Sequence, residues 1–136
     1  MIEDVAAKFA ALARRRRGRT FPVGAFVVPL RRAEKLRART RVLGQDPVRL
    51  ARHLDVIAPM AYHGAVGRPP SWVVDILEAF AGEVGRPVLP VLQADAPGWE
   101  TVWEAALSHP RSLGAVAFHY GTLVPDRWKA LARRGG

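Results

Sequence analysis

Three pairs of polar side chains stand at the ends of apolar runs in the sequence, and their functional groups could bind a ligand or take part in a reaction. The pairs are Tyr62 with His63, Gln93 with Asp95, and His119 with Tyr120. Phenol, amide and carboxylate groups make several hydrogen bonds, and an imidazole gains or loses a proton near neutral pH. These groups suit a polar ligand, and the Asp95 carboxylate could act as a general acid or base.

Asp95 alone does not make a hydrolytic site. Hydrolysis by a pair of carboxyl groups needs a second carboxylate about 5 to 9.5 Å from the first. The other acids of the chain fall on predicted helices, at helix caps or, for Asp55, at the opposite end of a strand. The sequence therefore assigns no catalytic residue, and capping of the following helix is an alternative role for Asp95.

Structural roles also compete with ligand binding at the other candidates. Tyr62 could fill the top layer of a core, and His63 could lie solvated in a loop. Because side chains alternate along a strand, only one of His119 and Tyr120 faces the ligand side, and the sequence leaves open which. His63, Asp95 and His119 could bind a divalent metal, but they follow no metal-binding spacing, so we predict neither a metal nor another cofactor.

Four apolar runs must position these side chains. They cover residues 22–30, 55–62, 87–93 and 113–120 and contain few polar interruptions. Such runs are typical of strands buried on both faces of a parallel sheet. Their starts recur at roughly the 30-residue spacing of a βαβ unit, so we predict four parallel strands that alternate with helices.

Segments with helical periodicity stand before and between these runs. Residues 2–15 form an amphipathic helix whose apolar stripe must dock on another part of the protein. Asp46 followed by Pro47 predicts the start of a short helix, and Ser71 is expected to cap a longer one. Gly85 is the expected end of that longer helix.

Two α/β architectures fit this alternation: half of a (β/α)8 barrel, or an open doubly wound sheet. A full barrel needs about 250 residues, so residues 1–136 would form a single partial barrel domain. The barrel is favoured because no predicted strand precedes a glycine-rich phosphate loop and because polar residues end three consecutive strands. Pro59 and Pro90 each remove a hydrogen-bond donor from a strand, so we predict bulges there.

The chain is basic, with 21 Lys and Arg against 12 Asp and Glu, and a net charge of +9 favours polyanions as ligands. The excess lies in residues 14–17, in residues 31–41 and near the end of the chain, whereas residues 55–126 carry no excess of positive charge. Residues 14–17 fit a solvated helix end, and residues 31–41 fit a short exposed helix or a loop. Nucleic acid is therefore an alternative partner and not the expected one.

Cysteine is absent, which excludes disulfides and cysteine-ligated metals. No window approaches the roughly 20 apolar residues that span a bilayer. The first residues also lack the basic-then-apolar order of a secretory signal. We therefore expect a soluble protein without a membrane partner.

The phrase Asp55-Val-Ile-Ala-Pro-Met-Ala-Tyr-His resembles part of a known family. Together with Gly44-Gln-Asp before it, and Leu89-Pro-Val-Leu-Gln and Gly114-Ala-Val-Ala-Phe after it, it resembles the C-terminal half of bacterial glycoside-hydrolase-like (β/α)8 barrels. In that family the sixth strand commonly reads as a variant of Asp-x-Ile-x-Pro-Met-x-Tyr, and the next strand often ends in Gln. The likeness covers roughly residues 22–125, and the sixth-strand phrase is its most specific part.

This resemblance implies a carbohydrate-active protein that binds a saccharide at the carboxyl ends of its strands, with Met60 and Tyr62 pointing into the barrel. Barrels of the family carry a key acidic residue at the end of strand four, and strands one to four have no counterpart in this sequence. The catalytic acid would then lie outside this chain, which alone would be inactive. A missing N-terminal half-barrel or a second copy would be its partner. A metal-dependent hydrolase is a further alternative.

Overall fold

The computed structural model describes residues 2–30 and 38–132 as parallel strands that alternate with helices. The four strands are β1 (Gly24–Val27), β2 (Val56–Ala61), β3 (Val91–Gln93) and β4 (Val116–Phe118). The α-helices of the described residues are α1 (Ile2–Arg17), α2 (Pro47–Leu50), α3 (Ser71–Val84), α4 (Trp99–Ser108) and α5 (Pro125–Ala132). A wide helical turn (Ala38–Val42) precedes α2, and a tight one (Tyr120–Thr122) precedes α5. Of the predicted basic segment 31–41, residues 31–37 lie outside the described residues.

The strands form one parallel sheet in the order β1-β2-β3-β4. Gly24 lies opposite Val56 at the start of the β1–β2 pair, and Val91 lies opposite both Met60 and Val116 in the other two pairs. The predicted parallel α/β fold is therefore confirmed. Sequential order without a reversal fits half of a (β/α)8 barrel or an open α/β sheet, and the described strands lack the switch point of a doubly wound one.

One face of the sheet and the helices enclose the hydrophobic core. Val27, Ile57 and Leu92 stand on this face of three neighbouring strands and are fully buried. Each helix packs a residue in or against the same core: Ala10 from α1, Leu50 from α2, Ile76 from α3, Val102 from α4 and Leu131 from α5. All five helices therefore lie on one side, as right-handed crossovers between sequentially ordered strands require.

The opposite side of the sheet, called the open face below, carries Phe26, Ala58, Met60, Val91 and Phe118. These residues alternate with the core residues along the strands. Ala58 and Val91 are buried but stand outside the core cluster, whereas Phe26 and Phe118 are exposed. In a barrel this face would be the interior.

Each strand lies within the apolar run that predicted it, and each is shorter than that run. The predicted bulge at Pro59 is not seen, because the register with β1 continues through Pro59, which lies opposite Val27. Pro90 does interrupt the ladder, since it separates an isolated bridge at Val88 from β3. Val23 and Val88 lie just outside the strands and belong to the core, which explains part of the longer apolar runs.

The predicted helix starts have mixed outcomes. Asp46 caps α2 as expected, because its Oδ1 accepts hydrogen bonds from the backbone N–H groups of Val48 and Arg49 at 3.1 and 3.3 Å. Ser71 is instead the first residue of α3, and no side chain caps that helix. Gly85 ends α3 in the left-handed conformation, with a φ of 63°. None of the described helices is long and apolar enough to cross a membrane.

The first helix docks only the small residues of its apolar stripe. Ala6 and Ala13 pack against the core beside the buried Ala10, whereas the large apolar side chains of the stripe are exposed: Ile2, Val5, Phe9 and Leu12. Small side chains allow the helix to approach its neighbours closely. The prediction that the whole stripe docks is therefore only partly met.

The end of α1 is tied to the start of β2 by Asp55. Its Oδ2 accepts a hydrogen bond from the backbone N–H of Val23 at 2.9 Å and pairs with Nη2 of Arg14 at 2.7 Å. Arg14 also donates to the carbonyl of His53. These hydrogen bonds hold the pKa of Asp55 below its usual value, the Val23 N–H most strongly and Arg14 next. Asp55 therefore links α1 and the residue before β1 to the start of β2, at the amino-terminal end of the strands.

Candidate functional site

Five of the six predicted site residues can be placed at the carboxyl ends of neighbouring strands. Tyr62 and His63 follow β2, Gln93 ends β3 and precedes Asp95, and His119 follows β4. The side chain of the sixth residue, Tyr120, lies outside the described part of the structure. Because the strands are parallel, the described candidates lie at the same carboxyl end of the sheet. Each side chain there has a different environment.

The aromatic rings of Tyr62 and Phe118 form the centre of this site. They stack with ring centroids 5.2 Å apart and an angle of 19° between the ring planes. Tyr62 is half-buried, and Phe118 is 48% exposed on the open face. Phe118 was not among the predicted residues, although strand alternation places it on the same face as Val116 and could have indicated it.

Burial also sets the protonation of the Tyr62 phenol. Partial removal from water disfavours the phenolate, so the pKa of Tyr62 is raised above its ordinary value. The hydroxyl therefore stays protonated at neutral pH and can both donate and accept a hydrogen bond. Tyr62 thus combines a flat apolar ring with a polar tip.

The Gln93 side chain is used within the protein. Its Oε1 accepts a hydrogen bond from the backbone N–H of Ala65 at 2.8 Å, and its Nε2 donates to Oδ1 of Asp95 at 3.0 Å. The loop after β2 lies so close that a Cβ on Gly64 would stand 3.0 Å from Oε1 of Gln93. Gln93 therefore fastens this loop to the end of β3, and both ends of its amide already have a partner within the protein.

His63 is neither a solvated loop residue nor one that faces a ligand. Its side chain is buried, with 1% of the residue exposed, and its Nε2 lies 2.8 Å from the carbonyl oxygen of Pro97. Because a carbonyl only accepts, Nε2 carries the proton and Nδ1 is an acceptor. Nδ1 is buried and has no hydrogen-bond partner in the described structure. His63 joins the loops that follow β2 and β3.

Asp95 is exposed and does not cap the following helix. The N-cap of α4 is Gly98, and no side chain makes a capping hydrogen bond there. Its carboxylate accepts from Gln93 and otherwise faces solvent. It is thus held in place while its remaining lone pairs are available to a ligand.

His119 presents an exposed imidazole beside the aromatic pair. Its ring meets that of Phe118 edge-on, with centroids 5.1 Å apart, across a cis peptide bond. Its Nδ1 accepts a hydrogen bond from the backbone N–H of Gly121 at 3.1 Å, which leaves Nε2 as the protonated nitrogen in the neutral ring. His119 can therefore donate to a ligand that rests on Phe118.

These side chains do not form a metal site. Among residues 2–30 and 38–132, no three His, Asp or Glu side chains come together in a way that could hold a metal ion. His63 is also removed from such a role by its burial against Pro97. The three residues His63, Asp95 and His119, considered above as an alternative metal set, are therefore not brought together as one in the described structure. What the arrangement offers is a stacked aromatic surface with a phenol, an imidazole and a carboxylate near its edges.

Comparison of the chain with protein-family models, with curated protein sequences and with solved structures finds no significant match.

Proposed function

We propose that this protein is a glycoside-hydrolase-like half-barrel that binds a saccharide at the carboxyl ends of its strands. The observation that supports this most is the stack of Tyr62 on Phe118, with an exposed phenyl ring on the open face. Sugar rings have an apolar face of C–H groups and a rim of hydroxyls. A flat aromatic surface matches the face, and hydrogen-bonding groups beside it match the rim.

The polar groups beside the rings supply different kinds of hydrogen bond to the ligand. His119 offers an exposed N–H donor, Asp95 offers carboxylate oxygens, and the Tyr62 hydroxyl can act in either direction. Gln93 and His63 act indirectly, because they hold the loops after β2 and β3 in position. The proposed ligand is thus a neutral saccharide, recognised by stacking and by hydrogen bonds.

Hydrolysis by the chain alone is not part of this proposal. Cleavage of a glycosidic bond needs an acid and a second carboxylate about 5 to 9.5 Å apart. Among the predicted site residues Asp95 is the one carboxylate. The likeness to glycoside-hydrolase barrels puts the key acid on a strand that this chain does not contain, so we expect binding without turnover.

Titration with short neutral oligosaccharides tests the proposal. Cello-, chito- and malto-oligosaccharides would be added to the isotope-labelled protein, and amide and aromatic NMR shifts would be followed. We expect saturable shifts at Tyr62, Phe118 and His119 with at least one series. Replacing Phe118 with Leu should weaken binding by about 2- to 10-fold, the worth of one aromatic contact.

Phe26→Leu is the matched control. Phe26 is an exposed aromatic residue on the same face, but it lies on β1, away from the Tyr62 ring pair. Its replacement should leave the affinity unchanged. The absence of saturable shifts with every series, or equal weakening by both substitutions, would remove the proposal.

A polyanion is the second candidate ligand, and one arrangement of charge favours it. The helices run against the strands, so the arginines at their ends gather at the amino-terminal edge of the sheet. Exposed members of this group are Arg15, Arg16, Arg17, Arg86 and Arg111. Arg14 is held by Asp55 and is not available to the same extent. Cations at helix ends also complement the helix dipole, which is a structural role for the same residues.

Salt dependence separates these two roles. A polyanion ligand predicts binding to a fluorescent single-stranded oligonucleotide that falls steeply between about 50 and 200 mM salt. Neutralising Arg15, Arg16 and Arg17 to Gln should reduce that slope. If the oligonucleotide does not bind at low salt, or if the slope is unchanged, the arginines serve the helix end alone.

A further inference from the structure

Both edges of the described sheet are open. β1 pairs with β2 alone and β4 pairs with β3 alone among the described strands. An open parallel edge presents a row of backbone N–H and C=O groups that pair readily with another strand. Parallel sheets also normally have both faces covered. Here the helices cover one side.

The surface next to the β1 edge is apolar and exposed. Val5 and Phe9 on α1 are 67% and 62% exposed, and Phe26 on the open face is 61% exposed. A depression of about 330 Å³ on the open face continues this surface and is lined by Gly24, Phe26, Val56, Ala58 and Leu89, among others. Its lining has no charged side chain, so it is suited to apolar side chains and not to a polar ligand.

The β4 edge has the same character. Leu113 precedes β4, and Val124 and Trp128 lie at the start of and within α5; all three are exposed. The open face between the two edges carries uncharged residues throughout, including Met60, Val91 and Val116. Exposed apolar residues thus stand at both edges of the sheet, and the open face between them carries uncharged residues.

We infer that this surface docks a second α/β segment made of four parallel strands and three helices. Its two outer strands would pair with β1 and β4 and close an eight-stranded barrel around the open face. Aliphatic side chains on its inner face would fill the depression beside Phe26, as layers of branched residues fill the interior of such barrels. This inference rests on the fold and not on saccharide binding.

The helices of the described residues argue against a second copy as the occupant. In an eight-stranded barrel one helix covers each gap between neighbouring strands. In chain order α2, α3 and α4 connect the four strands, whereas α1 precedes β1 and α5 follows β4. Right-handed crossovers then put α2, α3 and α4 over the three gaps, in line with the contacts of α3 with β2 and of α4 with β3, and put α1 and α5 outside them. Two copies would therefore bring α1 of one and α5 of the other to the same gap at both junctions. A segment with three helices leaves one helix for every gap.

The contacts of the two outer helices support this count. α1 packs against α2, and Arg14 near its end pairs with Asp55. On the β4 side, Arg127 of α5 donates a hydrogen bond to the carbonyl of Ala94. The Nε of Arg127 also lies 4.0 Å from Oε1 of Glu100 on α4. Both outer helices are thus anchored to the fold, and neither can leave its gap without breaking these contacts.

Two designed probes test the inference on the full chain. One is an idealised half-barrel of four parallel strands and three helices, and the other is the same half-barrel with a fourth helix added at one end. Sedimentation measures complex formation, and hydrogen exchange reports on the amides of β1 and β4. We expect a one-to-one complex with the three-helix probe and at least tenfold slower exchange at both edges. The four-helix probe should bind at least tenfold more weakly.

Substitutions in the chain connect complex formation to this surface. Phe26→Asp should weaken binding of the three-helix probe at least tenfold, because it puts a charge into the barrel interior. Val66→Asp is the control, since Val66 is exposed in the loop after β2 and stands outside the surface. No complex with the three-helix probe, or equal effects of both substitutions, would overturn the inference. A discrete dimer of the chain alone with protected β1 and β4 edges would show that a second copy is the occupant. None of these readouts depends on saccharide binding.

Discussion

Tyr62 and Phe118 stack on each other although their strands are not neighbours in the sheet. Tyr62 follows β2 and Phe118 ends β4, so the rings lean towards each other over β3. Phe118 lies opposite Gln93, the last residue of β3, so the two rings meet at the carboxyl end of that strand. The aromatic pair thus stabilises the end of the sheet and also forms the proposed ligand surface.

The first prediction concerns the energy of this stack. In a double-mutant cycle with Tyr62→Leu and Phe118→Leu, the coupling energy should be about 0.5–1.5 kcal/mol, as for aromatic pairs in contact. The measurement is the free energy of unfolding of the four proteins in urea. Phe21→Leu supplies the control cycle with Tyr62→Leu, because Phe21 lies before β1 near Arg17. Coupling as small as in that control cycle would contradict the stacked geometry.

The second prediction concerns the loop after β2. Gln93→Leu removes the acceptor of the Ala65 N–H, so exchange of that amide should become about 2- to 10-fold faster, in line with the worth of one hydrogen bond. Amide exchange followed by NMR gives the rate directly. Asp95→Asn is the matched control, because it alters the other end of the Gln93 amide and leaves the Ala65 bond in place. Unchanged exchange in Gln93→Leu would show that the loop is held in another way.

The strand and helix order could be predicted because the signals are local. An apolar run such as residues 55–62, or Asp46 before Pro47, reports on structure through its own neighbours. The parallel pairing followed from the spacing of the runs, because a βαβ unit needs about 30 residues. Confirmation of the parallel sheet rests on these short-range patterns.

The environments of the site residues were harder to predict because they depend on contacts between distant segments. His63 looked like a loop residue, but the carbonyl of Pro97 holds it in the interior. Asp95 has the position of a helix cap, yet it accepts from Gln93 instead. The apolar stripe of α1 predicted a docked helix, but the helix docks through Ala6, Ala10 and Ala13, and the large side chains of the stripe are exposed. Periodicity identifies an apolar face but not what covers it.

The third prediction compares three glycines. Gly98 has a φ of +72°, and a Cβ there would lie 2.7 Å from Cγ of Pro70, so Gly98→Ala should cost about 2–3 kcal/mol of unfolding free energy. Gly67 has a similar φ of +63° with no atom nearby, and Gly67→Ala should cost about 1 kcal/mol. Gly82 lies inside α3 with open space around it, so Gly82→Ala should stabilise by about 0.5–1 kcal/mol.

Urea denaturation of the three variants measures these changes. The difference between the Gly98 and Gly67 variants isolates the contact with Pro70, because the backbone term is nearly the same in both. Equal losses in these two variants would show that the loop before α4 moves away from Pro70 at little cost.

The last prediction is the pH dependence of the link between α1 and β2. The pKa of Asp55 is lowered in the folded protein by the Val23 N–H and by Arg14, so its carboxylate binds protons less readily than in the unfolded chain. Its contribution to stability is therefore complete above the unfolded pKa of about 4 and is lost as the pH falls through the lower folded value.

Asp55→Asn should reduce the unfolding free energy at pH 7 by about 1 kcal/mol, a modest loss because 42% of the side chain is exposed. The difference between the two proteins should shrink as the pH falls below about 4, the unfolded pKa. Asp126→Asn, which alters an exposed pair with Lys129, should change stability little at pH 7 or at pH 2.5. A loss of unfolding free energy in Asp55→Asn that is the same at pH 7 and pH 2.5 would show that the carboxylate charge does not stabilise the link between α1 and β2.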